Sequence, residues 1–343
     1  MGGAAGHMKH PHEMFDWTLD RLVNFIMMVG SCAIPAKEKV DGLNIFVRRD
    51  DGVSKFARAK GELNSGGHTL EELPVRLEKC GARDIFCDAA GAIDNFFTEV
   101  SLNASEWINV EIVREDHPIT IDYSGNWLIF NAGDNFVEGL WAGSTKGWRL
   151  TNAVDLQLDG LTLFDVSRRS AQLFDEFELY GLGESSTIVD YIGARIPIVF
   201  PESSKLPKKT VGELAHKLCH GGNMRDINMG FSREIAAISS RIGSSEHADR
   251  NRSRILAPLA EIFAEFGTQL LRDSSSAFCS DNPRTAERLR SAQHKLGIPI
   301  DDDAVIPTVE GAVYVIDGTM VKVTGSFSKV SRVIGDAMFK RPS

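Results

Sequence analysis

No stretch of this 343-residue chain approaches the roughly 18 consecutive apolar residues that span a bilayer. No secretory signal is visible either, so a soluble, cytoplasmic protein without a membrane partner is expected. Cysteine is scarce and odd in number: Cys32, Cys80, Cys87, Cys219 and Cys279 share no paired spacing. That pattern excludes a disulfide scaffold and points to reduced thiols. Positive charge is short as well, with 38 Lys and Arg against 47 Asp and Glu and a net charge of -9. Broad nucleic-acid surfaces carry a basic footprint, because phosphate neutralisation supplies much of the affinity. Here any such surface must be local. Gly-x4-Gly-Lys-Ser/Thr is missing, which argues against a P-loop kinase or ATPase. His216, Cys219 and His220 share helical spacing, but no further ligand accompanies them and a structural role is expected.

What is present is an ordinary globular composition, 43% hydrophobic and 25% charged, in a chain long enough for one large or two smaller domains. Residues 1–7 read as an expression-derived remnant. Apolar residues at helical spacing predict a helix over 13–29 that stops at Gly30. Strands follow at 43–49 and 53–59 around a turn at 50–52, with helices at 70–80 and 88–97. Strands are expected at 107–113 and 126–132, and shorter ones at 161–166, 187–189 and 196–200. A strand-poor, helical segment then runs over 201–305, with helices at 211–220, 233–242, 252–271 (with a break near Pro258) and 284–296. Strand character returns as a hairpin around Asp317-Gly318.

The chemistry concentrates in Glu38-Lys39-Val40-Asp41-Gly42-Leu43-Asn44: a lysine one residue before an Asp-Gly pair, feeding directly into an alternating apolar strand. Gly42 permits close backbone approach, and the strand fixes the lysine on a rigid element. Further along, Glu111 interrupts an apolar strand, and Glu310-Gly311 precedes a hairpin whose second strand carries Lys322.

These stretches, in this order, resemble the covalent nucleotidyltransferases: DNA ligases, RNA ligases and mRNA capping enzymes. Asn44, where most members have arginine, and Glu38 before the lysine resemble the phage and RNA-editing RNA ligases. The resemblance implies an α+β fold of two antiparallel sheets with flanking helices around an ATP pocket, its core at 8–200 and 306–335 and a helical insertion at 201–305. It implies that Lys39 attacks ATP and carries AMP as a phosphoamide. By the same resemblance Asn44 and Arg58, with Lys60 second, would orient nucleotide or acceptor. Glu111 would meet the ribose, Phe130 (or its rival Phe164) would stack on the base, Glu310 would hold magnesium or manganese, and Lys322 would contact the α-phosphate. Glu38, Asp41 and Gly42 complete the nucleotide site. Only one lysine of the family's usual Lys-x-Lys is present, and no C-terminal nucleic-acid-binding domain is expected.

The implied activity is ATP-dependent ligation of polynucleotide 5′-phosphate ends, RNA favoured over DNA. The basic patches expected to serve it are Arg48 and Arg49, Arg58 and Lys60, Arg250, Arg252 and Arg254, and Lys329, Arg332, Lys340 and Arg341. Another acceptor, as in cap formation or protein modification, and a non-catalytic protein on the same fold are the alternatives. Two further expectations concern geometry. A free lysine has a pKa near 10.4, leaving roughly one amine in two thousand neutral at pH 7, so the site is expected to depress it. The hairpin at 316–318 is expected to use a three-residue loop, which would place Glu310 and Lys322 on one face.

Overall fold

The computed structural model describes residues 8–132, 136–137, 144–223, 226–227, 232–279, 282–299, 306 and 308–339; the segment 1–7, Lys340 and Arg341 lie outside them. It is a mixed α+β protein with two sheets and flanking helices. Among the described residues, no helix is long and apolar enough to cross a membrane.

The chain divides into two units. The first takes 35–158 and 271–343 with the first few residues, and the second takes 9–34 and 159–270. The helical unit therefore includes the N-terminal helix and begins its second pass near residue 159, rather than at 201, and ends near 270 rather than 305. Residues 271–305 return to the sheet-bearing unit. There α10 (Pro283–Leu296) and α11 (Phe327–Phe339) bury Leu289, Ala292, Val330, Ile334 and Ala337 together.

The six-stranded sheet of the first unit has the order β3-β2-β4-β5-β7-β6, built from β2 (Leu43–Asp50), β3 (Val53–Ala57), β4 (Ala104–Val113), β5 (Trp127–Asn131), β6 (Ser144–Thr145) and β7 (Trp148–Asn152). It is mixed rather than purely antiparallel, because β5 and β7 run parallel. Strand alternation gives it two unlike faces. One carries Ile45, Val47, Ile108, Val110, Leu128, Phe130 and Leu150, all packed on Phe86, Ile93, Phe96 and Phe97 of the helix Arg83–Glu99. The other carries Asn44, Asn109, Glu111, Ile129 and Asn131. Over part of this second face Val113 and Ile129 join Val40, Ile121, Tyr123, Phe278, Cys279 and Phe327 in a separate core.

The three-stranded sheet has the order β1-β8-β9: β1 (Lys37–Lys39), β8 (Gly311–Ile316) and β9 (Thr319–Val323). Ile316 pairs with Thr319, so the hairpin turns on two residues, Asp317 and Gly318, both at positive φ (49° and 74°). That is the turn whose twist suits an Asp-Gly pair, and it overturns the expected three-residue loop. Asp51-Gly52 repeats it between β2 and β3.

The helical unit corrects three strand expectations. Residues 163–166 open α5 (Leu163–Glu178), and 188–199 form α6 (Ile188–Val199). Thr162 and Thr187 cap these helices, their hydroxyls accepting from the amides of Asp165 and Asp190. Such a Thr-x-x-Asp start satisfies orphan amides and outweighs the β preference of the Ile and Val residues that follow. The helix Ala248–Leu270 runs unbroken through Pro258. In the sheet-bearing unit, the helix expected over 70–80 shrinks to Leu73–Arg76.

Candidate active site

Three strand pairs decide where Lys39 goes. Lys39 lies opposite Gly311, Lys37 opposite Val313, and Val313 opposite Lys322. Directly opposed residues share a face, as do residues two apart. Lys39 and Lys322 therefore lie on the same face of the small sheet. The two-residue turn was expected to separate Lys322 from Glu310, because alternation was extended to Glu310. Glu310 instead sits in a bend before β8 begins, where alternation does not bind it, and its Oε1 meets Lys39 Nζ at 2.6 Å. Gly311 is required for this crossing. A Cβ there would lie 2.2 Å from the Val323 carbonyl oxygen and 3.0 Å from Thr324 Cα, both backbone atoms that cannot yield cheaply.

Glu111 faces the same centre from β4. It is paired across the ladder with Asn44, whose Nδ2 donates to Glu111 Oε1 at 3.1 Å. Asn44 Oδ1 is buried and receives no hydrogen bond from the described residues. Gly42 leaves room for the carboxylate, since a Cβ there would approach Glu111 Oε2 to 3.2 Å and the Ile112 oxygen to 3.0 Å.

The electrostatics run opposite to one expectation. Burial works against the Lys39 charge, yet Glu310, Glu111 and Asp41 around it outweigh burial and hold its pKa above the ordinary value. The lysine is a stable ammonium here. The strain falls on the acids instead: burial first, then neighbouring carboxylates, push Glu111 up to about 7 and Asp41 up to about 6. Glu38, buried on the other face of β1, is raised chiefly by burial and accepts from Ser276 Oγ and from the Ala277 amide at 3.0 Å.

Besides Glu38, which faces away from Lys39, two expected site residues lie elsewhere. Phe130 pairs with Val110, one residue out of step with Glu111, so it points to the opposite face. There it is fully buried against Phe96, Phe97 and Phe136. Ile129 occupies the position across from Glu111. Arg58 also turns to the helix-covered side, its guanidinium 3.8 Å from the Phe86 ring centroid and Nη1 donating to Cys80 Sγ at 3.1 Å. The rival Phe164 is exposed on the first turn of α5. Of the basic candidates, Arg49 is consumed internally by Asp94, Ser54 and Thr98. Arg48 remains on the Glu111 face, stacked over Trp107 at 5.0 Å. Lys329 and Arg332 are exposed on α11.

Missed from the sequence was the loop 119–123. Asp41 Oδ2 accepts from the amides of Thr120 (2.6 Å) and Ile121 (3.0 Å), and the Asp41 amide donates to Tyr123 Oη at 2.8 Å. A Thr-Ile-Asp-Tyr run has no strand partner to announce it. Its only signal is a buried-type tyrosine between two strands.

Among the described residues, no group of three or more His, Cys, Asp or Glu side chains is arranged to hold a metal ion. Glu310 alone suits magnesium in its usual phosphate-site mode, one or two carboxylates with the remaining ligands from phosphates and water. The comparisons with known proteins are silent: no family model, no curated protein and no solved structure matches this chain.

Proposed function

We propose that the protein is an ATP-dependent nucleotidyltransferase that works through a lysyl-AMP intermediate on Lys39, and that its sheets form the nucleotidyltransferase fold. The observation that carries this reading is convergence. Lys39, Asn44, Glu111 and Glu310 are scattered over most of the sequence, yet the fold brings these four to one carboxylate-lined centre around the Lys39 amine, and Lys322 lies on the Lys39 face of the small sheet.

The reaction asks four things of these residues. Lys39 Nζ must lose a proton, and Glu310 Oε1, in contact with it, is the acceptor at hand. The freed amine then bonds the α-phosphorus of ATP as the bond to pyrophosphate breaks, leaving AMP on nitrogen. Lys322, on the same face, offsets charge developing on the α-phosphate. Asn44 Oδ1, a buried acceptor that receives no hydrogen bond from the described residues, suits a ribose hydroxyl. Magnesium held by Glu310 and the triphosphate would supply further positive charge to the phosphates.

The acceptor we propose is a polynucleotide 5′-phosphate, RNA before DNA, approaching along the face that carries Arg48 and Trp107. Incubation with α-labelled ATP or GTP and magnesium, with Lys39→Ala alongside, tests the first step. Label surviving denaturation from ATP and lost in the mutant is the expected result. Chasing the adduct with 5′-phosphorylated RNA should discharge it onto the RNA end. Label from GTP would move the reading to cap formation, and failure to bind any nucleotide would support a non-catalytic protein.

A further inference from the structure

Of the two carboxylates that flank Lys39 in sequence, Glu38 lies on the opposite face of β1 and Asp41 lies near the amine, and each has its own hydrogen-bond partners. Glu38 is taken by Ser276 and Ala277, and Asp41 by the amides of Thr120 and Ile121. β1 is short: three residues pair with β8 on one edge, and on the other the Glu38 amide donates to the Val154 oxygen at 2.9 Å, so Lys39 at its end depends on what holds the turn that follows. Tyr123 adds a third attachment, its buried hydroxyl accepting from the Asp41 amide at 2.8 Å. The loop that makes these bonds is itself held from the C-terminal side. Thr285 Oγ1 donates to the Thr120 oxygen at 3.1 Å and accepts from the Asp122 amide at 3.1 Å. Arg288 donates to the Ile119 and Thr120 oxygens, and Cys279 Sγ donates to the Asp122 oxygen at 3.0 Å.

We infer that Tyr123 is a positioning residue for Lys39, acting through the Asp41 turn, and that Asp41 serves the same clamp as a hydrogen-bond acceptor instead of touching the nucleotide. Loop 119–123, braced by α10, sets where the lysine nitrogen stands. The inference follows from the bonding pattern alone; its activity arm rests on the proposed nucleotidyl transfer to Lys39. An acceptor role has a distinctive chemical signature: asparagine can replace aspartate, because its carbonyl oxygen still receives both amides, whereas a role that needs the negative charge cannot survive that change.

The test compares wild type, Tyr123→Phe, Asp41→Asn and Asp41→Ala by two readouts. Hydrogen exchange of the peptides covering 36–43 reports the clamp whether or not the protein reacts with ATP. Phenylalanine leaves the Asp41 amide buried without an acceptor, so exchange there should rise roughly tenfold, while peptides from β4 and β5 stay at the wild-type rate. Asp41→Ala should raise it further and Asp41→Asn should restore most of the protection. Single-turnover adduct formation is the second readout. Tyr123→Phe should lower the rate at saturating ATP roughly tenfold with half-saturation unchanged, and Asp41→Asn should outperform Asp41→Ala by a similar factor.

Unchanged exchange at 36–43 in Tyr123→Phe overturns the inference, as does an adduct rate equal to wild type, or an Asp41→Asn protein as impaired as Asp41→Ala. If wild type forms no adduct but exchange follows the expected order, the clamp stands and the proposed function falls.

Discussion

Glu111→Gln should change how stability depends on pH, by an amount the site itself sets. Burial raises the Glu111 pKa from its ordinary 4.5 to about 7. The folded protein therefore binds this proton more tightly than the unfolded chain does. For an acid shifted upward, the stabilisation is fully present below pH 4.5 and is lost as pH rises through 7. A shift of that size corresponds to at most ~3 kcal/mol at 1.36 kcal/mol per pKa unit. Partial exposure of the Glu111 side chain reduces the effective figure to about 1.5 kcal/mol. Glutamine keeps the oxygen that accepts from Asn44 Nδ2 and removes the titration. Of the pH values measured, the two proteins should lie closest at pH 5, and at pH 8 the variant should be the more stable by about 1.5 kcal/mol. A residual downward slope from Asp41, raised to about 6, should remain in both. Urea-dependent hydrogen exchange of peptides from β4 and β5, measured at pH 5, 6.5 and 8, follows the sheet-bearing unit alone. Parallel stability curves for the two proteins would refute the burial and charge arrangement described around Lys39.

Other perturbations address separate parts of the structure. Gly311→Ala drives a Cβ into the Val323 carbonyl and should cost ~3 kcal/mol in urea unfolding, because backbone must move to admit it. Phe130→Leu should lose about 1–2 kcal/mol of stability from its buried aromatic cluster while leaving nucleotide affinity alone; a loss of affinity at unchanged stability would return it to a base-stacking role. Burial pushes the Cys219 thiol up to about 12, so maleimide at pH 8 should modify exposed Cys32 long before Cys219, by a factor of at least ~10² in mass-spectrometric labelling.

The parts of this site that sequence could reveal were those with local chemistry. A lysine next to Asp-Gly at the mouth of a strand, a glutamate inside an apolar strand and a Glu-Gly before a hairpin are each visible without a fold. What placed Phe130 wrongly was parity: a one-residue step along β5 separates the Glu111 face from the helix-covered face, and spacing from Glu111 cannot supply that step. The Asp317-Gly318 turn carried its own answer in its residue types. It was set aside to bring Glu310 and Lys322 onto one face, although Glu310 never belonged to the strand. In the helical unit, Thr162-x-x-Asp165 and Thr187-x-x-Asp190 marked helix starts that the Val- and Ile-rich residues beyond them concealed. The clamp on Asp41 was beyond reach, because it joins residues 79 to 82 positions apart through a loop with no periodicity. The depressed lysine pKa failed for a related reason: Glu111 and Glu310, from distant parts of the sequence, join the neighbouring Asp41 around one amine.

The most direct test of the central claim is to treat the full-length protein with ATP and magnesium, digest it under conditions that preserve phosphoamides, and locate the modified residue by mass spectrometry. Nucleophilic attack by Lys39 requires one AMP, carried on the peptide containing Lys39 and absent from Lys39→Ala. AMP on any other residue, or none on wild-type protein that binds ATP, would contradict it.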